Sequence, residues 1–293
     1  MKLSNIKIYS LLFIILSGCT STSQTTPKND LEKSNLQGNV KIISEVSYDV
    51  SKVDIKALKG QKVRSGVDSK ITYNMDGYIT ESMRERDGSP YSISRYLYDD
   101  EYNIIVEEKY YRKGYQSSPN NGKGNEIDLT SPFSISNFKY NDKRLKIEEK
   151  VFSNNELYSE SKYKYDDEGS QIEEAYYKDD NLIWKEKHLN KYDSYGNITE
   201  SAFIGLNEKI RSIWKYEYDE LGRRVKSQLF NKNGDLRNTY KREYDNQGNV
   251  IKDDESEGLY KYEYDINLNW TKKIRYSNGN PSKIIEREIV YYD

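Results

Sequence analysis

The pentapeptide Tyr218-Asp219-Glu220-Leu221-Gly222 decides the fold, because it returns 26 residues later as Tyr244-Asp245-Asn246-Gln247-Gly248. An Asp side chain can accept a hydrogen bond from a backbone N–H two residues on, which nucleates a turn. Gly three residues after the Asp suits the left-handed residue that follows a type I turn in a hairpin. Each copy is therefore predicted to be a strand, a tight turn and a second strand.

The residues before each turn alternate in character, as expected for a strand whose side chains point to opposite faces. Trp214, Tyr216 and Tyr218 share one face, whereas Lys215 and Glu217 share the other. A second turn, of the same chemistry, lies midway between the two copies at residues 231–234. Two turns per period leave strands of roughly 7–9 residues, an ordinary length for a meander.

The Tyr-Asp or Tyr-Asn pair recurs along most of the chain, usually every 25–28 residues. Its tyrosines are Tyr48, Tyr73, Tyr98, Tyr140, Tyr165, Tyr192, Tyr218, Tyr244, Tyr264 and Tyr292. A fixed period of this size indicates a repeat architecture. The copies at Tyr98 and Tyr264 lack the Gly, so we expect less ideal turns there, or a left-handed position that shifts to an Asn.

Tyr192-Asp193-Ser194-Tyr195-Gly196-Asn197 and the two copies quoted above resemble the YD repeat of the RHS family. The similarity covers roughly residues 40–293 and is strongest from 165 to 250. In that family, long arrays form β-sheet strips that spiral into shells enclosing toxin domains, and other members act in cell-surface contact. About nine periods are too few to enclose a domain, so the resemblance implies a fold and little about function.

We predict an all-β fold, a long antiparallel meander of about 16–18 short strands built from hairpin repeats of about 26 residues. An open twisted sheet rarely holds so many strands without curling. We expect a trough or partial spiral with the Tyr face inward and contacts mainly between neighbouring repeats; partial closure onto itself is the alternative. A barrel in the outer membrane would need an apolar band facing lipid, which the charged outer face excludes.

Composition supports a thin sheet with much solvated surface. Of 293 residues, 35% are hydrophobic and 29 are tyrosines, and the mean hydropathy is −0.99. Tyr can bury its ring while its hydroxyl stays in water. The 46 basic and 48 acidic residues are nearly balanced, which argues against a nucleic-acid-binding protein with a basic stripe.

The N-terminus has the features of a secretory signal, with Lys2 and Lys7 before an apolar run at residues 11–16. Leu16-Ser17-Gly18-Cys19 then resembles the bacterial lipobox. The resemblance implies cleavage before Cys19, acylation of Cys19 and attachment to a membrane, which two or more acyl chains make stable. Thr20 stands where an Asp would retain a lipoprotein at the inner membrane, so we expect the outer membrane. An ordinary signal peptide with an incidental Cys is the alternative.

These features divide the chain into a signal peptide at 1–18, a flexible tether at 19–35 and a YD-repeat-like β domain at 36–293. One repeat interval is longer than the others and holds an insert loop at 114–134, rich in Gly, Asn and Pro. Strand pairing is not expected through such a segment. Long loops in compact domains are usually functional or disordered, so the loop is either a decoration or a partner contact.

No constellation of residues indicates an enzyme, a metal or a cofactor. The single His188 fits a strand position otherwise taken by Tyr, and Cys19 is the only Cys. A Cys/His site is therefore excluded, and no nucleophile motif accompanies the His. Residues 265–269 resemble the start of a calcium loop but lack the Gly and closing Glu of an EF-hand. Carboxylates are plentiful, so a hydrolase that uses two carboxylates is retained as an alternative.

We therefore predict a lipid-anchored, non-catalytic envelope interaction or scaffold protein that binds a protein partner through its Tyr-rich surface or the 114–134 loop. Aromatic-rich surfaces suit interfaces. Glycan or peptidoglycan binding, with rings stacked on sugars, is the alternative. The candidate ligand-binding residues are Tyr163, Tyr165, Trp184, Trp214, Tyr216, Tyr218, Tyr262 and Tyr264. The same rings could instead serve core packing.

Overall fold

The structure, a computed structural model, describes residues 28–49, 68–86, 88–112, 127–205 and 208–293. These residues form one short helix and 18 strands. The helix is α1 (Asp30–Lys33), and the strands are β1 (Val40–Asp49), β2 (Asp68–Tyr73), β3 (Ile79–Arg86), β4 (Ser89–Tyr98), β5 (Ile104–Tyr111), β6 (Ser134–Tyr140), β7 (Lys146–Ser153), β8 (Glu156–Tyr165), β9 (Gln171–Lys178), β10 (Asn181–Tyr192), β11 (Ile198–Ile204), β12 (Ile210–Tyr218), β13 (Arg224–Asn231), β14 (Leu236–Tyr244), β15 (Val250–Asp253), β16 (Gly258–Tyr264), β17 (Trp270–Ser277) and β18 (Asn280–Tyr291).

The sheet is closed. Each strand pairs antiparallel with the next along the chain, and β18 pairs with β1 from Val40–Tyr291 to Asp49–Lys283. The prediction of an antiparallel meander with 16–18 strands is confirmed, but the predicted trough or partial spiral is wrong, because the fold is an 18-stranded barrel. Closure gives hydrogen-bond partners to the backbone groups that two free edges would leave unpaired.

The hydrophobic core among the described residues lies at the seam where the barrel closes. Its buried side chains are Leu31, Leu36, Val40, Ile43 and Tyr73, with Ile71, Ile79, Ile289 and Tyr291 packed around them. Across the same seam, Glu45 of β1 and Arg287 of β18 form an ion pair of 2.6 Å. The two ends of the chain therefore hold the ring together with both apolar contacts and charge.

The turns after the repeated tyrosines have the predicted geometry. Asp219 Oδ1 accepts hydrogen bonds from the N–H groups of Leu221 and Arg223, and Gly222 has a φ of 72°. For the copies at Tyr98 and Tyr264, which lack the Gly, one of the two expected alternatives, a shift of the left-handed position to an Asn, is wrong. Tyr102 and Leu268 occupy it themselves, at φ 61° and 65°, because the Asp side chain still fixes the turn.

All turns of this kind that follow an even-numbered strand lie at one end of the barrel, here called the YD rim. Residues 28–38 run along this rim and contact three of its turns. Asn29 Nδ2 donates to Asp76 O at 2.9 Å, and Asn35 Nδ2 donates to Gln247 O at 2.7 Å. Gln37 N donates to Asn269 Oδ1 at 2.8 Å. The chain therefore enters the barrel at the YD rim.

Several sequence predictions fall partly or wholly outside the described residues. The signal peptide, Cys19 and most of the 114–134 loop lie there. Of the segment predicted as a tether, residues 28–35 are described, and they contain α1 with its Leu31 buried. The first described residues thus belong to the fold, since α1 packs Leu31 into the core at the seam.

The two faces of the sheet differ in exposure. On β12 and β16 the Tyr and Trp side chains are half-buried, whereas the Lys, Glu and Leu between them are exposed. Side chains converge on the concave side of a closed sheet, so the less exposed face is the inner one. The rings of Trp214 and Tyr240, two strands apart, are 6.1 Å from each other on this face. The tyrosines therefore line the inside of the barrel.

Candidate functional site

The candidate site is the inner face of the barrel, where the strands place all eight predicted ligand-binding residues. They come from β8, β10, β12 and β16, so they are spread along the wall and do not form one cluster. Barrels of 16–18 strands leave an aqueous channel. Among the described residues, the ring contacts and ion pairs made by strand residues join the same or adjoining hairpins. The site is accordingly a lined lumen.

Five of the eight predicted ligand-binding residues use their hydroxyl groups within the wall, among them Tyr163, which donates to Glu149 Oε2 at 3.3 Å. Tyr165 donates to Lys146 O at 2.7 Å and Tyr218 donates to Ile198 O at 2.7 Å. Tyr262 donates to Val250 O at 2.9 Å, and Tyr264 donates to the Asp245 carboxylate. Burial raises the pKa of Tyr218 to about 12. These phenols are therefore neutral donors that join neighbouring hairpins.

On the inner face, one cluster of aromatic rings centres on Trp214. Its ring is nearly parallel to that of Tyr216, with centroids 6.3 Å apart and planes at 5°. On the other side it stacks on Tyr240 at 27°. Trp184 makes a separate stack with Tyr176, at 6.0 Å and 14°. The sequence identified Trp214, Tyr216 and Trp184, but it did not identify Tyr176 or Tyr240 as their partners.

On the outer face, charges of opposite sign lie directly across from each other on neighbouring strands. Lys139 is 2.8 Å from Glu148, and Lys191 is 2.8 Å from Glu200. The same arrangement recurs at Lys150–Glu160, Lys164–Glu173, Lys226–Glu217, Lys252–Glu243 and Lys272–Glu263. The predicted charged outer face is thus present, and much of its charge is neutralised locally.

On the inner face of β9 and β10, two carboxylates oppose each other. Glu174 is the direct cross-strand partner of Glu186, an arrangement that destabilises a sheet. Burial raises the pKa of Glu174, and the neighbouring Glu186 and Glu149 add to the effect against a hydrogen bond from Gln171. No ion pair neutralises either carboxylate in the described part of the chain. We call this pair the acidic patch.

On the inner face of β17 and β18, two cations oppose each other in the same way. Arg275 is the direct cross-strand partner of Lys283, and Lys273 lies two residues from Arg275 on the same face. Burial lowers the pKa of Lys273. Within the described ranges, none of the three is in an ion pair. We call Lys273, Arg275 and Lys283 the basic patch.

The two patches face each other. They lie eight strands apart in a ring of 18, nearly half the circumference. They are also at one level, because Glu174 follows Tyr165 by nine residues and Lys273 follows Tyr264 by nine. The equivalent residues of the other repeats are Ser82, Glu107, Glu149, Ser201, Ser227 and Asp253. These residues form one level of the inner face, nine residues after each repeated tyrosine. The level becomes visible when the repeats are aligned on their tyrosines, and it was not predicted from the sequence.

His188 lies on the inner face of β10, as predicted for a strand residue. Its ring contacts Phe203 at 5.5 Å, and its Nδ1 is 3.4 Å from Ser201 Oγ. Burial lowers the pKa of His188, so the ring is neutral. The described residues contain no group of three or more His, Cys, Asp and Glu side chains suited to a metal ion. They also contain no helix with the length and apolar character of a membrane span.

Comparisons with known proteins give matches among solved structures alone. No protein-family model and no curated protein matches the chain. A porin-like protein from Bacteroides uniformis is 10% identical with a TM-score of 0.39, and the match covers 87% of this chain and 99% of that one. A TcdB2-TccC3-Cdc42 structure is 11% identical with a TM-score of 0.32, over 84% of this chain and 15% of that one. The Tc holotoxin pore of Photorhabdus luminescens is 13% identical with a TM-score of 0.33, over 74% and 12%.

The chain therefore spans about an eighth of the toxin chains that it matches. The resemblance to the RHS family, which rests on the repeated motif, stays a prediction. The fold and the site are defined by the strands and side chains of this chain itself.

Proposed function

We propose that the chain is a lipid-anchored, non-catalytic binding protein of the cell envelope whose barrel holds an extended polypeptide segment. The observation that supports this proposal is the combination of an acidic patch, a basic patch and aromatic rings on one inner surface. A polypeptide carries cationic, anionic and apolar side chains that complement all three. Only an extended segment reaches such a surface, since a folded partner meets the rims and the outer face.

The distribution of charge supports binding inside the barrel. Outer-face charges such as Lys191 and Glu200 neutralise each other, whereas Glu174 and Lys273 lie in a half-buried setting without an ion pair in the described residues. Buried charges are costly unless they are paired. A ligand that supplies the missing counter-charges would recover this cost, so the inner face is the surface that gains most from a partner.

The proposed location rests on Cys19 and on the entry point of the chain. Lipid on Cys19 would attach the protein to a membrane, with the outer membrane preferred. Lys28 lies nine positions after Cys19 in the chain, a reach of at most about 30 Å. The YD rim, where residue 28 joins the barrel, would then lie near the bilayer and the opposite rim would point away. The exposed Lys and Glu of the outer face favour contact with water over lipid.

Glycan binding is the second candidate, and the stack around Trp214 favours it. The rings of Trp214 and Tyr216 are nearly parallel, and the face of such a ring can also pack on the face of a sugar. Glycan binding would involve only the part of the lumen around Trp214, and it would give no role to the two charged patches. For that reason we place it second.

Photo-cross-linking with the full chain tests the proposal. A photoreactive phenylalanine analogue replaces Tyr216 on the inner face, and the matched control places it at Lys215, the next residue, on the outer face. The probe is an unstructured 40-residue peptide with equal numbers of Glu and Lys. We expect cross-links from position 216 and few from 215. Equal yields from both positions, or none from 216, would overturn the proposal, and displacement of the peptide by peptidoglycan fragments would favour the glycan alternative.

A further inference from the structure

We infer that the basic patch formed by Lys273, Arg275 and Lys283 is a binding site for the carboxylates of an acidic stretch within the polypeptide that occupies the lumen. The inference rests on the proposed function and gives it a chemical preference. It assigns a role to three cations whose placement next to each other does not stabilise the sheet.

The basic patch places like charges next to each other. Arg275 and Lys283 are direct cross-strand partners on the inner face, and like charges directly opposite destabilise a sheet. Two carboxylates lie near the patch on β1: Glu45, whose Oε1 already accepts hydrogen bonds from Arg287 at 2.6 and 3.0 Å, and Asp49, the direct cross-strand partner of Lys283. The patch thus carries a surplus of positive charge that an anion would neutralise.

Neighbouring groups hold Lys273 and Arg275 in place on the inner face. The Lys273 ammonium lies 4.5 Å from the ring centroid of Tyr260, a geometry that fixes a cation without neutralising it. Arg275 donates through Nη2 to Ser256 O at 2.8 Å. Its Nε is buried and has no hydrogen-bond partner. A carboxylate is the complementary acceptor for a guanidinium edge.

The acidic patch on the opposite side of the ring distinguishes between possible sources of the carboxylate. An acidic polysaccharide carries one sign of charge along its whole length, so it would meet repulsion from Glu174 and Glu186 on the facing wall. A polypeptide can present acidic side chains to the basic patch and basic side chains to the acidic patch. The facing patches therefore favour a polypeptide over a uniformly charged polymer.

Binding titrations with the full chain test the inference. The probes are a 20-residue poly-glutamate peptide, a neutral Gly/Ser/Gln peptide of equal length and polygalacturonate. The test variant is Lys273→Gln with Arg275→Gln. The matched control is Lys252→Gln with Lys272→Gln, which removes the same charge from the outer face of neighbouring strands. Circular dichroism checks folding, and the test variant is expected to fold because it loses a like-charge contact.

We expect the affinity for poly-glutamate to fall about tenfold or more in the test variant, because hydrogen bonds to charged groups are lost. The outer-face control should bind poly-glutamate like the parent protein. The neutral peptide should have the same affinity for the parent protein, the test variant and the control. In Lys273→Glu with Arg275→Glu, the preference should reverse to poly-lysine.

Two results would overturn the inference while the proposed function stands. One is binding of both peptides with no effect of the test variant, and the other is an equal loss in the outer-face control. Tighter binding of polygalacturonate than of poly-glutamate would overturn the polypeptide as the source of the carboxylate. Failure of every peptide to bind the parent protein would instead count against the proposed function itself.

Discussion

The phenolic oxygen of Tyr218, at the end of β12, donates a hydrogen bond of 2.7 Å to the carbonyl oxygen of Ile198, at the start of β11. The same bond recurs in other repeats, from Tyr98 to Ile79, Tyr140 to Ile104, Tyr165 to Lys146 and Tyr244 to Arg224. The tyrosine of the motif thus joins each hairpin to the one before it at the YD rim.

Replacing Tyr218 with Phe should therefore destabilise the barrel by about 1–2 kcal/mol, because a half-buried carbonyl loses its partner. Tyr216→Phe is the matched control on the same strand and face, since the structure shows no hydrogen bond for the Tyr216 hydroxyl among the described residues. Urea unfolding followed by circular dichroism gives both values. Equal losses in the two variants would show that the rim hydrogen bond has no special role.

Leu268 provides a test of the turn geometry. It occupies the left-handed position with φ 65° and is 56% exposed, so Leu268→Gly removes backbone strain and little packing. Strain of about 1–2 kcal/mol is relieved, and the greater freedom of Gly in the unfolded chain offsets part of it. We expect a net gain of about 0.5–1 kcal/mol in the free energy of unfolding.

Leu236→Gly is the control for that substitution. Leu236 is 52% exposed but lies in β14, where Gly weakens a strand. This variant should lose stability, by up to about 1 kcal/mol. A loss in both variants would mean that the turn at Leu268 does not bear the strain that its φ angle implies.

The hairpins could be predicted from the sequence because their chemistry is local. Asp219 and Gly222 lie three residues apart, and the turn is specified by the Asp219 carboxylate and by the backbone freedom of Gly222. Closure of the barrel depends on the pairing of β1 with β18, which are about 240 residues apart in the chain. No short sequence motif predicts this pairing. The apolar residues of both strands, such as Ile43 and Ile289, were a signal that neither edge is exposed.

The site could be predicted only in part, for a similar physical reason. Alternation along β12 placed Trp214 and Tyr216 on one face, and the structure shows that this face is the inner one. The charged patches were missed because Glu174 and Lys273 belong to different repeats. Their relationship becomes visible when each is counted from its own tyrosine, nine residues before it.

Glu174 should make stability depend on pH. Burial raises its pKa in the folded protein, so the folded state holds the proton more tightly than the unfolded state. Stability is then lost as the pH rises from below the ordinary pKa of a glutamate through the raised value. Glu174→Gln should raise the melting temperature at pH 7, and this gain should disappear below the ordinary pKa. A gain independent of pH would refute this explanation.

The tyrosines should set an alkaline limit to stability. Burial raises the pKa of Tyr73, Tyr96 and Tyr140 to about 12. The unfolded chain releases these protons at lower pH, so stability should fall progressively as the pH rises from about 10 to about 12. Absorbance of the phenolate and circular dichroism, recorded together, should show late ionisation that coincides with unfolding. Complete ionisation near pH 10 in a folded protein would contradict it.

Leu31 tests whether the segment before β1 belongs to the fold. Its side chain is 7% exposed and packs with Leu36, Val40 and Tyr73 at the seam. Leu31→Ala should cost about 2–4 kcal/mol in the free energy of unfolding, since a buried Leu leaves a cavity. Leu189→Ala, at a position 61% exposed on the outer face, should cost much less. The seam closes the ring, so hydrogen exchange should also quicken in β1 and β18 of the Leu31 variant. A small and equal cost in both variants would show that residues 28–38 only lie on the rim and do not hold it closed.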